Sequence, residues 1–293
     1  MRFSDIGEQL RSFRLESGLR AEEIAARLGV SRAALYRYEK GEVIKLDTVK
    51  RLAELLKISP LALLGVGVEH YSRAIGFFER LRQLEETSEQ VIQLDGALCY
   101  LTTGEAFDAA YADALAEAAE QGGAERAQWR AAVEQVLGVQ ASRKRTFQQR
   151  RPALICLLSA NRMAALLEGG VASGLAASER VRRQCRQVAA TELSRVAELM
   201  ESEPIGLQFG LLAANEPSAS FLLLRGRERA SVAISPFRPD GTPFATTGVA
   251  TITTAEEAVA MHQRVAEALW RDALKGPAAA ARVRELVAAR GPA

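Results

Sequence analysis

The chain has 293 residues, of which 48% are hydrophobic and 25% are charged, and its formal net charge is +2. This composition is typical of a soluble globular protein, and the length favours one small and one large domain. No apolar run is long enough to cross a membrane, and the N-terminus lacks the apolar core of a signal peptide. We therefore expect a cytoplasmic protein with no membrane partner.

The charge is unevenly distributed along the chain. Residues 1–57 carry 12 Lys and Arg against 9 Asp and Glu, a net charge of +3. Residues 69–137 carry 5 against 13, a net charge of −8. A basic N-terminal segment followed by an acidic segment indicates that the first contacts phosphate groups and that the rest of the chain does not.

Residues 1–66 are predicted to form an all-α head of five short helices. The first begins at Ile6 and ends near Gly18, and the others are "AEEIAARLG", "SRAALYRYEKG", "LDTVKRLAELLKI" and "SPLALLG". Asp47 is the expected N-cap of the fourth helix, and Ser59 followed by a proline starts the fifth.

The second and third helices are joined by "LGVS", which is the pattern of a helix-turn-helix. Gly29 permits a left-handed turn residue, and Ser31 caps the third helix, whose N-terminus then faces a phosphate or a base edge. The residues that remain on the outer face of this helix are Arg32, Ala33, Tyr36 and Arg37. Such a face fits the major groove, where Arg bonds guanine in two places and Ala touches a thymine methyl group.

The stretch "LRSFRLESGLRAEEIAARLGVSRAALYRYEKGEVIKLDTVKRLAELLKIS" resembles the lambda-repressor/Cro type of DNA-binding domain, the XRE group of bacterial and phage regulators. The resemblance covers residues 6–64. It implies five helices, a dimer on a two-fold operator in double-stranded DNA, and recognition by the third helix. A small helical bundle that binds protein is the alternative interpretation of this segment.

The resemblance also implies roles for individual residues. Residues that match base-facing or phosphate-facing positions are Arg32, Ala33, Tyr36 and Arg37, while Lys40 and Lys45 match a loop that follows the DNA backbone. Tyr38 and Glu39 match a structural pair. The family usually opens its second helix with Thr-Gln, where this chain has Arg20 and Ala21. Arg20 then supplies a phosphate contact without the glutamine that braces the recognition helix.

Residues 67–94 are predicted to be a linker or dimerisation segment, with a helix from about residue 69 to 94. Its apolar residues recur near helical spacing, and it has no packed partner in the local sequence. Docking on the second domain and pairing with its own copy in a dimer are both open.

Residues 95–275 are predicted to form an α/β domain with a mixed, partly antiparallel sheet, followed by a flexible tail over 276–293. "GALCYLTT" is expected to be a strand, and Thr102 with Glu105 to be a capping box that opens a helix. Further strands are predicted at "PALICLLS", "IGLQFGLLAA", "SFLLLRG", "RASVAISPF" and "VATITT", with hairpins through "NEPSA" and "GRER".

This domain is predicted to sense a small-molecule effector or to hold a dimer. The candidate effector-binding residues are Thr102, Thr103, Arg145 and Arg238. The basic run "SRKRTFQQRR" (142–151) either holds an anion, adds a DNA contact, faces the acidic segment 69–137, or is a solvated helix end.

We expect no enzyme, metal or cofactor. The three cysteines are widely spaced in sequence and are expected to be buried thiols. The two histidines, His70 and His262, lie on helical patterns, and the chain has no P-loop, nucleophile elbow or H-E-x-x-H motif.

The sequence therefore favours a homodimeric, sequence-specific transcriptional regulator. The first alternative is an interaction protein, such as an antitoxin or a scaffold with a helix-turn-helix head. The second is an enzyme with a DNA-targeting head, for which the sequence offers no polar constellation.

Overall fold

The computed structural model describes residues 3–64, 67–120, 126–213, 220–237 and 248–291. Its first part contains the five predicted helices: α1 (Phe3–Ser17), α2 (Ala21–Leu28), α3 (Arg32–Glu39), α4 (Leu46–Leu56) and α5 (Pro60–Leu63). Their apolar faces meet in one core, in which Leu10, Ile24 and Leu35 are fully buried. The prediction that Asp47 is the N-cap of α4 is wrong. The helix begins one residue earlier, at Leu46, and no side chain caps it.

The second part is built on an eight-stranded mixed sheet. The strands are β1 (Val68–Tyr71), β2 (Ser88–Gly96), β3 (Ala153–Ser159), β4 (Leu207–Leu212), β5 (Phe221–Gly226), β6 (Ala230–Ile234), β7 (Ala250–Thr253) and β8 (Leu274–Lys275). Their order is β1-β7-β6-β5-β2-β3-β4-β8. The central strands β2, β3 and β4 are parallel, and the other pairs are antiparallel. The predicted class, a helical head with a mixed α/β domain, is confirmed.

Helices cover both faces of the sheet. The remaining elements are α6 (Ala74–Thr87), a 3-10 turn (Tyr100–Thr102), α7 (Glu105–Glu120), α8 (Arg126–Arg150), α9 (Ala160–Gly169), α10 (Glu179–Ser202), α11 (Glu256–Asp272) and α12 (Gly276–Arg290). Helix α11 packs on one face through Ala266 and Trp270, while the larger core on the other face is shared with α6, α8, α9, α10 and α12. None of the described helices is both long and apolar enough to span a membrane.

The helix predicted over 69–94 is wrong at both ends. Only 74–87 is helical, and it is flanked by β1, which contains His70, and by β2. Strand β2 lies in the middle of the sheet and buries both faces, with Val91 on one side and Ile92 and Leu94 on the other. Such a strand lacks the polar alternation that would distinguish it from a helix.

Three further expectations are corrected. "GALCYLTT" is a loop and a 3-10 turn, because β2 ends at Gly96. Helix α7 begins at Glu105, so Glu105 is its first residue and does not close a capping box with Thr102. Strand β4 pairs with β3 and β8, and β5 pairs with β2 and β6, so these two strands do not form the predicted hairpin, while "NEPSA" itself lies outside the described residues. "GRER" joins the antiparallel β5 and β6, as predicted.

The expected flexible tail is instead largely helical. Helix α12 occupies 276–290, and it packs on α10 and α9 through Ala279, Ala280 and Val283, which are fully buried. Small alanines allow close helix approach without a strong amphipathic pattern, so the sequence looks like low complexity.

A polar junction fastens α1 to the second part of the chain. At its centre is the buried Glu69 of β1, whose carboxylate accepts hydrogen bonds from Gln9 Nε2 (2.7 Å), the Tyr71 hydroxyl (2.6 Å) and Arg80 Nε (2.9 Å). Burial, with the nearby Glu69 carboxylate, raises the pKa of Tyr71, so its hydroxyl stays a donor.

The same junction extends along α6. Ser12 of α1 donates to Gln83 Oε1 (3.1 Å), and Arg11 pairs with the buried Glu79 (2.7 Å). Near the C-terminal end of α1, Glu16 accepts the backbone N–H groups of Ser72 and Arg73. The helical head is therefore docked on β1 and α6 by side chains from residues 9–16 of α1.

Candidate nucleic-acid interface

The turn between α2 and α3 has the geometry that its sequence predicts. Gly29 adopts a left-handed conformation with φ of 71°. The N–H groups of Gly29 and Val30 donate to the Ala26 and Ala25 carbonyls, which closes α2. Ser31 then caps α3, because its hydroxyl accepts the Ala34 N–H (3.1 Å). The turn is thus held by local hydrogen bonds.

The outer face of α3 is open to solvent. Ala33 is exposed, and the side chains of Arg32 and Arg37 are 58% and 65% exposed. Arg32 pairs with Glu22 (2.7 Å), and Arg37 pairs with Glu42 (2.8 Å). Exposed ion pairs of this kind contribute little to stability, so both guanidinium groups can exchange carboxylate for DNA at small cost.

Tyr36 connects this face to the frame beneath it. It is half-buried, its hydroxyl accepts a hydrogen bond from Arg32 Nη2 (3.2 Å), and the Arg32 guanidinium lies 5.3 Å from its ring centroid. This hydrogen bond, together with the Glu22 carboxylate, raises the pKa of Arg32, which keeps the guanidinium charged. Arg14 of α1 lies 5.9 Å from the same centroid.

The C-terminal end of α3 is fixed by a buried ion pair. Glu39 accepts hydrogen bonds from Arg14 Nε (2.5 Å) and Nη2 (3.1 Å), and its side chain is only 3% exposed. A bidentate pair sets the orientation of both partners. This contact gives Glu39 the structural role that the sequence predicts and fixes α3 on α1.

The other predicted DNA contacts lie around this helix. Lys40 follows α3 and Lys45 precedes α4, and both are exposed. Arg20 precedes α2, where its backbone N–H donates to the Glu23 carboxylate (2.9 Å) while its side chain stays exposed. All three therefore stand at helix ends of the head with free reach into solvent.

An open cleft of about 960 Å³ separates this head from α8. Its walls include Arg14, Arg20 and Tyr36 on one side and Trp129 with Gln135 of α8 on the other. No local sequence pattern predicts this cleft, because the head residues and the α8 residues that line it are more than 90 positions apart.

The candidate effector residues are not gathered around one cavity. Thr102 and Thr103 use their hydroxyls inside the 3-10 turn, where they donate to the Cys99 and Tyr100 carbonyls (both 2.9 Å). Arg145 is exposed on α8, and Arg238 lies outside the described residues. A different set of side chains, on α6, α8 and the sheet, lines a cavity of about 90 Å³.

The basic run at 142–151 faces the acidic segment. Arg143 is buried and binds both carboxylate oxygens of Glu85 (2.8 and 2.6 Å), and Lys144 pairs with Asp108 (2.6 Å). Burial lowers the pKa of Lys144, while its hydrogen bond to Asp108 acts in the opposite direction. Of the four interpretations of this run, Arg143 and Lys144 support the one in which it faces 69–137, whereas Arg145, Arg150 and Arg151 are exposed, as in a solvated helix end.

The three cysteines are buried and free, as predicted. Cys99 and Cys156 are widely separated in sequence but influence each other in the core. The neighbouring Cys156 thiol lowers the pKa of Cys99, and burial raises the pKa of Cys156.

Comparison with known proteins bears on the head. Residues 5–64 match a family model described as a helix-turn-helix domain. Among solved structures, TrmBL2, an archaeal chromatin protein described as showing a novel mode of DNA binding, aligns at 11% identity and a TM-score of 0.34. The alignment covers 78% of this chain and 61% of that chain. We draw no conclusion about fold or function from a similarity this low. No curated protein matches the chain. With the turn, caps and exposed third helix described above, the match establishes that residues 5–64 are a helix-turn-helix domain.

Proposed function

We propose that this protein is a sequence-specific regulator of transcription of the lambda-repressor/Cro type, which binds double-stranded DNA as a homodimer in the cytoplasm. The observation that carries the proposal is the exposed outer face of α3, with Arg32, Ala33 and Arg37 presented by a turn fixed through Gly29 and Ser31. A helix so presented enters the major groove with its N-terminal residues at base edges. In this proposal the second part senses a small molecule or holds the dimer, and it has no catalytic role.

The charges of the head support phosphate contact around the groove. Arg20, Lys40 and Lys45 are exposed at helix ends that flank α3. Two heads with about ten phosphate contacts would lose roughly 10³-fold or more in affinity between low and moderate salt.

The test is fluorescence anisotropy with the full chain and labelled DNA from upstream of its own gene, against scrambled DNA of the same length, at two salt concentrations. Selective binding that weakens steeply with salt supports the proposal. Equal binding to both DNAs overturns sequence-specific recognition and favours an interaction protein. The matched variants are Arg37→Ala and Arg227→Ala. Arg227 is also an exposed, ion-paired arginine, but it lies on the loop after β5, so its substitution should leave binding unchanged.

A further inference from the structure

We propose that the cavity between α6 and the sheet binds a small aromatic molecule that carries a hydrogen-bond acceptor, and that this ligand changes DNA affinity through α6. The inference rests on the proposed function, because it assigns a site and a ligand class to the sensing role of the second part. Three observations support it: the shape of the cavity, the buried arginine in its wall, and the position of α6, which contacts both the cavity and α1.

The cavity has an apolar roof and a floor with one polar group. Its roof is the face of α6 that carries Phe77, Phe78 and Leu81. Its floor is a row of three residues that are direct neighbours across β2, β5 and β6, namely Gln93, Leu222 and Ala233. The floor leaves room under α6 because Ala233 has no side chain beyond its Cβ.

The size and the lining select the ligand class. The cavity volume is about 90 Å³, and four aromatic residues on the α6 side of the sheet line it: Phe77, Phe78, Tyr100 and Phe237. An apolar cavity of about 150 Å³ takes up benzene, so this smaller, partly open space accommodates at most one ring. Aromatic walls favour a ring, which packs edge-to-face or offset against them.

Arg143 adds a donor to this apolar space. Its side chain is 5% exposed, and it lies 5.5 Å from the Phe78 ring centroid and 5.7 Å from that of Tyr100. Among the described residues, its Nε and Nη2 donate to Glu85, and its Nη1 donates to Gln140 Oε1 (2.5 Å). These bonds use three of its five N–H groups, so two remain for an acceptor on the ligand. Since Glu85 already neutralises the guanidinium, an uncharged carbonyl suits the site as well as a carboxylate.

Helix α6 joins the cavity to the DNA-binding head. The residues that roof the cavity alternate along α6 with those that hold α1, which are Glu79, Arg80 and Gln83. Glu85 in the last turn of α6 holds Arg143 in the cavity wall. A ligand that displaces the roof or reorients Arg143 therefore acts on the helix to which the head is fastened. For this to change DNA affinity, the ligand must bind the two positions of α6 with different affinity.

The binding test uses acetophenone, a single ring with a carbonyl, titrated into the full chain by isothermal calorimetry without DNA. We expect one site per chain, loss of binding in Ala233→Leu, which fills the floor, and retained binding in Ala230→Leu, the same change on the same strand outside the cavity. If Ala233→Leu fails to fold, Leu222→Phe at the half-buried centre of the floor must abolish binding instead. No heat with acetophenone or with benzoate, or unchanged binding in the filled variants, overturns the site.

The coupling test repeats the DNA anisotropy titration at saturating acetophenone. We expect DNA affinity to change by about fivefold or more in the wild type and in Ala230→Leu, and not in Ala233→Leu. Ligand binding with unchanged DNA affinity overturns the coupling. If the protein binds acetophenone but binds no DNA either with or without it, the proposed function alone is overturned. If it binds DNA selectively but does not bind acetophenone, only this inference is overturned.

Discussion

In the proposed DNA complex, Arg32 and Arg37 must each leave a carboxylate of the same head. Each is more than half exposed and pairs with a glutamate at 2.7 or 2.8 Å, Glu22 for Arg32 and Glu42 for Arg37. Because exposed pairs are worth about 0–1 kcal/mol, the exchange for a phosphate or a guanine costs little.

Arg37→Ala tests the base-reading assignment. If Arg37 bonds a base, the substitution weakens specific binding by about 1–3 kcal/mol and relaxes sequence preference at one position. The measurement is anisotropy against a set of operators that differ by single base pairs. An unchanged affinity together with an unchanged preference would sink the assignment.

Lys45→Ala tests the complementary role. A pure phosphate contact predicts that binding to all sequences weakens alike and that the slope of log affinity against log salt falls by about one. The same operator set, titrated at several salt concentrations, gives both quantities. A shift in sequence preference would show that Lys45 reads more than the backbone.

Glu39→Ala tests the frame beneath the reading face. The substitution leaves Arg14, whose side chain is 13% exposed, without its bidentate partner. Removing one partner of a buried pair costs about 3–5 kcal/mol, which should appear as a lower midpoint in urea denaturation. Glu86→Ala is the control, because Glu86 is 53% exposed and its loss should change stability by less than about 0.5 kcal/mol. Equal effects of the two variants would contradict the structural role of Glu39.

At the scale of elements, the helix-turn-helix could be predicted because its signals are local. Gly29 and Ser31 fix the turn within a few residues of where they stand in the sequence. The Arg14–Glu39 pair could not be predicted from the residues alone, since it joins two helices 25 residues apart. Strand β2 could not be distinguished from a helix in the sequence, because a strand buried on both faces and a buried helix have the same apolar content.

Because α6 packs closely on α1, Gly76 of α6 has far less space around it than Gly138 of α8. A Cβ on Gly76 of α6 would lie 2.8 Å from the Glu16 Cβ, and Glu16 is held in place by the Ser72 and Arg73 N–H groups. Gly76→Ala should therefore destabilise the protein by about 1–3 kcal/mol, despite the better helix propensity of alanine. Gly138 of α8 has no atom within 4 Å of such a Cβ, so Gly138→Ala should stabilise by about 1 kcal/mol. Thermal unfolding of both variants measures the difference, and effects of the same sign would contradict the close packing of α1 on α6.

At the scale of the whole molecule, the acidic segment 69–137 has a structural use. Glu69, Glu79 and Glu85 bind arginines of α1, α6 and α8, and Asp108 binds Lys144. The net charge of −8 in this segment is thus partly neutralised inside the fold. The sequence showed the imbalance but not its partners, because the pairs join residues up to 68 positions apart.

In the proposed homodimer, the docked head would also restrict how the protein meets an operator. Since α1 is fastened to β1 and α6 through Glu69, Glu79 and Glu16, the two heads would not turn independently. Two recognition helices one DNA turn apart, roughly 34 Å, then require one half-site spacing.

We expect insertion of either half a turn or a full turn of DNA between the half-sites to reduce affinity to that of a single half-site, as measured by anisotropy. Glu16→Ala, which releases the Ser72 and Arg73 N–H groups, should restore part of the affinity on the lengthened operator. Equal affinity of the wild type for all three spacings would show that the heads swivel or that the protein binds as a monomer, and sedimentation of the DNA complex distinguishes these two outcomes.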